Sequence, residues 1–189
     1  MLKMNYWGAK WDLHTDICPC DVHFNEWVEA NKIANKVIYH FGTGTHHVVG
    51  LRQAELGNAV FAITASKEEY DSYVALVTEN PRVAKSYLTY FGDIYLSNAR
   101  LLPDIDVVTL FHLCEFIQPS TTSAEYGGIG DRVLLDLLTD KTRPGGHILF
   151  YTRSNEWAAA KAIAAQWEKA RPVERVDDFK SLVVYRKKG

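Results

Sequence analysis

Val37-Ile38-Tyr39-His40-Phe41-Gly42-Thr43-Gly44-Thr45 is the stretch that decides the fold. With Lys36 in front of it, the run opens as β-branched and aromatic residues, the composition of a buried strand, and stops at Gly42. Two glycines at that point let the backbone turn sharply and come close to a ligand. The residues behind them, His46 to Gly57, predict a helix with Val48, Val49, Leu51 and Leu56 as apolar positions and Gly57 as its stop. A lone G-x-G says little, but one placed between an apolar strand and a helix points to a phosphate- or nucleoside-binding turn.

Outward from the turn the chain keeps one rhythm. Asn58–Thr64 predicts a second strand. Ser66 opens a helix through about Glu79, with Ser66 and Glu69 in the N-cap and N3 positions of a capping box. Ser86–Gly92 predicts a third strand and Ile105–Phe116 a fourth, with Cys114 inside it as a small buried hydrophobe. A leucine-rich helix follows over Gly130–Leu138. Pro144-Gly145-Gly146 reads as a tight turn into a fifth strand, His147–Tyr151, and Glu156–Ala170 as an Ala-rich helix. Val173–Val176 and Leu182–Tyr185 flank Asp177-Asp178 as two short final strands. Strands separated by helices predict a parallel sheet covered on both faces, with its ligand outside the carboxyl ends of the strands.

The bulk numbers set bounds. A chain of 189 residues suits one α/β domain, expected over 1–189, with 1–30 as an N-terminal cap or lid and 31–189 as the core. Hydrophobic residues make up 47%, and the net charge is -2 with no basic stripe, so no nucleic-acid partner is expected. No stretch reaches the roughly 20 apolar residues of a membrane span, and no signal-like run opens the chain. Three cysteines, an odd number, do not form a disulfide framework. The expectation is a cytoplasmic protein with no membrane partner.

The glycine turn does not suit a dinucleotide. Such a turn wants a third small residue to let helix and strand pack closely, and His47 stands there. It also wants an acid at the end of the second strand, where this chain has Thr64.

Several motifs occur together and in order. Val37–Gly44, Ala62-Ile63-Thr64-Ala65-Ser66, Phe91-Gly92-Asp93-Ile94, Asp104-Ile105-Asp106-Val107-Val108 with Phe111-His112-Leu113, and Leu134–Leu138 before Arg143-Pro144-Gly145-Gly146-His147 are the five. Over roughly residues 25–188 this pattern resembles the S-adenosylmethionine-dependent class I methyltransferases. The resemblance implies a Rossmann-like, seven-stranded, mostly parallel sheet with an antiparallel last strand and helices on both faces. It implies S-adenosylmethionine as cofactor, held by Phe41, Gly42, Thr43 and Gly44, by Thr64, Ala65 and Ser66, by Asp93 and Ile94 beside the adenine, and by Phe111 near the methyl. This chain departs from the family at two positions. The family places an acid two residues before the first glycine and another at the end of the second strand, and here those positions hold His40 and Thr64.

The implied reaction is direct displacement at the sulfonium methyl, on a small-molecule acceptor. His112, placed by its position near the end of the fourth strand, is the expected general base for a hydroxyl acceptor, with His14 as the alternative. No Asp/Asn-Pro-Pro-Tyr follows the fourth strand, which disfavours methylation of exocyclic base amines. His14–His23 gathers two histidines, two cysteines and two aspartates, but Cys18-Pro19-Cys20 is too tight for a zinc pair, so no metal is expected and a lid or a structural turn is. His46 and His47, at a helix start, read as exposed. Two other readings stand beside the enzyme: the same fold binding a ligand or partner without chemistry, and a nucleotide-dependent oxidoreductase, which His47 and the terminal hairpin disfavour.

Overall fold

A computed structural model describes residues 3–189. Seven strands form one sheet in the order β3-β2-β1-β4-β5-β7-β6. The chain divides into two compact units, Asn5–Ile94 and Tyr95–Gly189, the latter with Lys3 and Met4. Residues 1 and 2 of the expected cap lie outside the described residues.

The first unit carries α1 (Cys20–Ala30), β1 (Val37–Phe41), α2 (Val48–Glu55), β2 (Ala59–Thr64), α3 (Lys67–Glu79) and β3 (Tyr87–Phe91). Its three strands pair in parallel, with Phe41 opposite Ile63 and Thr64 opposite Phe91. Their carboxyl ends are therefore level, and the turns after them start side by side. α1 buries Phe24, Trp27 and Val28. A ladder of buried amides fixes it: Asn25 Nδ2 donates to Val48 O (3.2 Å), Gln53 Nε2 to Asn25 Oδ1 (2.7 Å), and Asn58 Nδ2 to Gln53 Oε1 (2.8 Å). Each member meets its neighbour's need, which is the condition for burying amides without loss.

His47 adopts a left-handed conformation (φ 49°) and caps α2 from outside it. The close approach falls one turn later, at Gly50, where a Cβ would stand 2.4 Å from the Tyr87 ring. His47 is also buried, contrary to the sequence expectation of exposure. Its ring bridges the Tyr87 hydroxyl (3.0 Å) and the Ser72 hydroxyl (3.1 Å).

The second unit carries β4 (Ile105–Thr109), α4 (Asp131–Lys141), β5 (Thr142–Tyr151), α5 (Trp157–Ala170), β6 (Val173–Arg175) and β7 (Leu182–Lys187). β4 and β5 are parallel, while β7 runs antiparallel to both β5 and β6. Two expectations are corrected here. β4 ends at Thr109 rather than Phe116, because the chain turns through Leu110–Phe116 with Cys114 at φ 75°. Cys114 is thus a half-buried turn residue; burial and the nearby Asp131 push its thiol up to about 12. Pro144-Gly145-Gly146 is not a turn before β5 but a bulge within it. Ile105 pairs with Thr142 and Val107 with His147, so three extra residues bulge out, with Gly145 at φ 79°. Lys187 Nζ donates to Thr139 O (2.8 Å) and Thr142 O (2.7 Å) and so caps the end of α4 from β7.

Candidate functional site

Three turns leave the level strand ends of the first unit: Gly42–Thr45 after β1, Ala65-Ser66 after β2, and Gly92-Asp93 after β3. Backbone bonds tie them together, from Gly42 N to Ile63 O (2.9 Å) and from Gly92 N to Thr64 O (2.9 Å). Phe41, Gly42, Thr43, Gly44, Thr64, Ala65, Ser66, Asp93 and Ile94, predicted as binding residues, all fall on this rim or directly beside it. Asp93 and Ile94 are buried.

The two glycines are needed for different reasons. Gly42 has φ 84° and open space where a Cβ would be, so a ligand can approach its backbone. Gly44 has φ 56°, and a Cβ there would meet the His46 ring at 2.2 Å. Its smallness serves the turn itself.

The positions lacking the family's acids are each met by a carboxylate from elsewhere in the first unit. Asp21, on α1, lies 3.8 Å from His40 Nε2 and 3.7 Å from His46 Nε2. Glu69, on α3, is 3% exposed and brings Oε2 to three donors: the Thr64 hydroxyl (2.7 Å), the Thr43 hydroxyl (3.1 Å) and the Thr43 N–H (3.3 Å). The Gly44 N–H bonds the same carboxyl group. Burial raises the Glu69 carboxyl above its ordinary range, and these four donors pull against that rise.

The sequence pattern gives Glu69 only a capping-box role, not a place at the site. Only half of that box forms. The Ser66 hydroxyl accepts the Glu69 N–H (3.3 Å), but the Ser66 N–H goes to Thr64 Oγ1 (3.0 Å) instead of returning to Glu69. With that donor already satisfied, the Glu69 side chain is free to reach the glycine turn.

An extended N-terminal segment lies along the rim. Trp7 N donates to Ala65 O (2.8 Å), the Ser66 hydroxyl to Ala9 O (2.6 Å), Thr45 N to Trp11 O (2.9 Å) and Thr45 Oγ1 to Asp12 Oδ1 (2.6 Å). Asn5 Nδ2 reaches Asp93 Oδ2 at 3.4 Å. His14 is exposed, in a turn where the Cys18 N–H donates to the His14 carbonyl (2.7 Å).

Phe111 and His112 belong to the second unit, in the turn after β4. Phe111 is buried, 6.5 Å from the Tyr151 ring. His112 Nδ1 lies 3.1 Å from Glu115 Oε2. The other Glu115 oxygen accepts from the Ser154 hydroxyl and from the Asn155 N–H (2.7 Å). Burial alone would raise the Glu115 carboxyl, but His112, Ser154 and Asn155 outweigh it and hold it at about 2. A carboxylate held ionised this close to the ring favours the imidazolium form through its charge.

No protein-family model matches the sequence, and no curated protein matches it. Solved structures do. The N-methyltransferase NodS of Bradyrhizobium japonicum WM9, in complex with S-adenosyl-L-homocysteine, is similar with a TM-score of 0.62 and 11% identity, over 88% of this chain and 86% of its own. The magnesium protoporphyrin IX methyltransferase ChlM of Synechocystis PCC 6803, with bound S-adenosylmethionine, gives 0.63 and 10%, over 89% and 78%. The chain has the class I methyltransferase fold. The cyclase SpnF is similar to the same degree, with a TM-score of 0.61 and 11% identity over 98% of this chain and 88% of its own. The fold therefore does not dictate the chemistry.

Proposed function

We propose that this protein is an S-adenosylmethionine-dependent methyltransferase acting on a small molecule, as one domain in which the N-terminal residues form a cap. The observation that carries the reading is the rim itself: Gly42 with open space above its backbone, level with the Thr64–Ser66 and Gly92-Asp93 turns, in a fold shared with proteins solved with that cofactor or its product.

The residues fit such a group. Gly42 admits close approach, Asp93 offers a carboxylate after β3, and two lysines of the first unit are already paired, Lys10 with Asp12 and Lys67 with Asp71. Phe41, Thr43, Gly44, Thr64, Ala65, Ser66 and Ile94 complete the cofactor set on this rim. When bound, S-adenosylmethionine supplies an already activated methyl group, so the protein's work is to bind, orient and exclude water. His112 takes a proton from a hydroxyl acceptor at Nε2, and Glu115 stabilises the imidazolium that results. His14 is the weaker alternative, because its exposure gives it no comparable partner to orient it. No metal is assigned a role, and the net charge of -2 favours a small acceptor over a nucleic acid.

A second reading keeps the fold and the ligand without methyl transfer. It is favoured by His40 in place of an acid and by the cyclase among the similar structures.

Calorimetric titration with S-adenosylmethionine and S-adenosylhomocysteine tests the cofactor. Micromolar binding is expected for the wild type, weakened about tenfold or more in Asp93→Ala and Gly42→Val, a change of about 1.4 kcal/mol or greater. A folded wild type that binds neither at millimolar concentration would overturn the reading.

A further inference from the structure

The amides of a strand-to-helix glycine turn ordinarily form a nest for anions, and phosphate groups are their usual occupants. In this protein the nest is already filled. The N–H groups of Thr43 and Gly44 and the hydroxyls of Thr43 and Thr64 converge on the Glu69 carboxylate, which is 3% exposed. α3 holds Glu69 in place: it occupies the first turn of a 13-residue helix whose N-cap, Ser66, accepts the Glu69 N–H at 3.3 Å. A carboxylate at that end of a helix is favourable, which offsets part of the rise that burial imposes on it. The rim adds more negative charge, with Asp12 on Thr45 Oγ1 (2.6 Å), Asp21 beside His46 (3.7 Å) and Asp93 after β3. Lys10 and Lys67 are each paired with an aspartate.

We propose that Glu69 is a specificity-determining residue. It fills the anion nest of the glycine turn from within, so that the turn rejects phosphate-bearing ligands and accepts a nucleoside that is neutral or cationic there. Like charges brought together across a desolvated contact oppose binding strongly, enough for a preference of about 100-fold or more. A free phosphate would have to displace a carboxylate that four donors and a helix hold in place. The proposal rests on the reading of the rim as a nucleoside-cofactor site and names what that site excludes.

The test titrates wild type, Glu69→Gln and Glu69→Ala with S-adenosylhomocysteine, adenosine, AMP, ADP and inorganic pyrophosphate, by calorimetry and thermal shift. Circular dichroism checks that each variant is folded. The wild type is expected to bind adenosine at least about 100-fold more tightly than AMP or ADP and to ignore pyrophosphate. Glu69→Ala, with the nest emptied, should gain pyrophosphate binding and shrink the adenosine-to-AMP ratio at least about tenfold, and Glu69→Gln should shrink it less. Wild-type affinities for adenosine and AMP within threefold of each other would overturn the proposal, and so would an unchanged ratio in both folded variants. If neither variant folds, the wild-type ratio decides. If the wild type binds neither adenosine nor S-adenosylhomocysteine, the cofactor reading falls. The pyrophosphate response of Glu69→Ala then decides this proposal alone, a gain upholding it and no gain overturning it.

Discussion

His112 carries the chemistry in the proposed mechanism, and Glu115 is what makes it competent. The His112 ring packs against Phe116 and Tyr151. Here Nδ1 is 3.1 Å from a carboxylate that Ser154 and Asn155 hold from the other side. His112→Ala should lower methyl transfer to the acceptor that a screen returns by about 10²–10⁴-fold, while S-adenosylhomocysteine affinity stays within twofold of wild type. Unchanged turnover would remove His112 from the role. Glu115→Gln keeps the contact but loses the charge, so it should lower the acidic limb pKa of the kcat profile and leave KM for the cofactor unmoved. A purely structural role for Glu115 would leave that limb where it was. None of this pairing was visible beforehand. Glu115 was assigned to a strand, where residues three apart point to opposite faces, and only the turn from Leu110 brings it back to His112.

Elements were more legible than the contacts that join them. β1, β2 and β3 followed from short apolar runs next to a glycine, because parallel strands show that composition. β4 and the Pro-Gly-Gly stretch were misread for one reason: both involve positive φ at residues whose local sequence allows a simpler path. Cys114 is not a residue that advertises a left-handed turn, and Pro144-Gly145-Gly146 advertises a hairpin-like turn as strongly as a bulge. The N-terminal segment was expected as a cap. In the structure it is an extended strap whose backbone bonds at Trp7 and Trp11 reach Ala65 and Thr45. A proline cannot donate, so Trp7→Pro deletes the 2.8 Å bond to Ala65 O and loosens the strap at its middle. The strap borders the rim without filling the space over Gly42, so it should retain ligand rather than block it. Trp7→Pro is expected to speed S-adenosylhomocysteine release about five- to tenfold with little change in association, read by stopped-flow fluorescence. Faster association and tighter binding in the variant would mean that the strap obstructs the site.

Across the whole molecule, one buried and two half-buried imidazoles tie stability to pH. His47 shows why. The Ser72 hydroxyl donates its one proton to Thr45 O (3.2 Å), so it must accept from His47 Nε2, which leaves Nδ1 to accept from Tyr87. That network holds only for the neutral ring. Burial, helped by the adjacent His46, lowers the His47 pKa to about 4. Burial lowers His46 and His147 as well. An unfolded chain binds protons at these sites from about pH 6.5 downward, while the folded chain resists until lower pH. The stabilisation is therefore complete above pH 6.5 and drains away as pH falls through the window toward 4. Glu115, held at about 2, removes stability in the same direction but below its ordinary value, whereas Glu69, raised, works the other way and softens the acid end. Urea unfolding at pH 7.5, 6.0 and 5.0 should show a steady fall, with His47 contributing about 1 kcal/mol between pH 6.5 and 4.5 after allowance for partial solvation. His47→Gln cannot titrate, so it should start less stable at pH 7.5 and lose less on acidification, bringing the two curves together near pH 5. Curves that stay parallel would show that His47 is not the group whose protonation the fold resists.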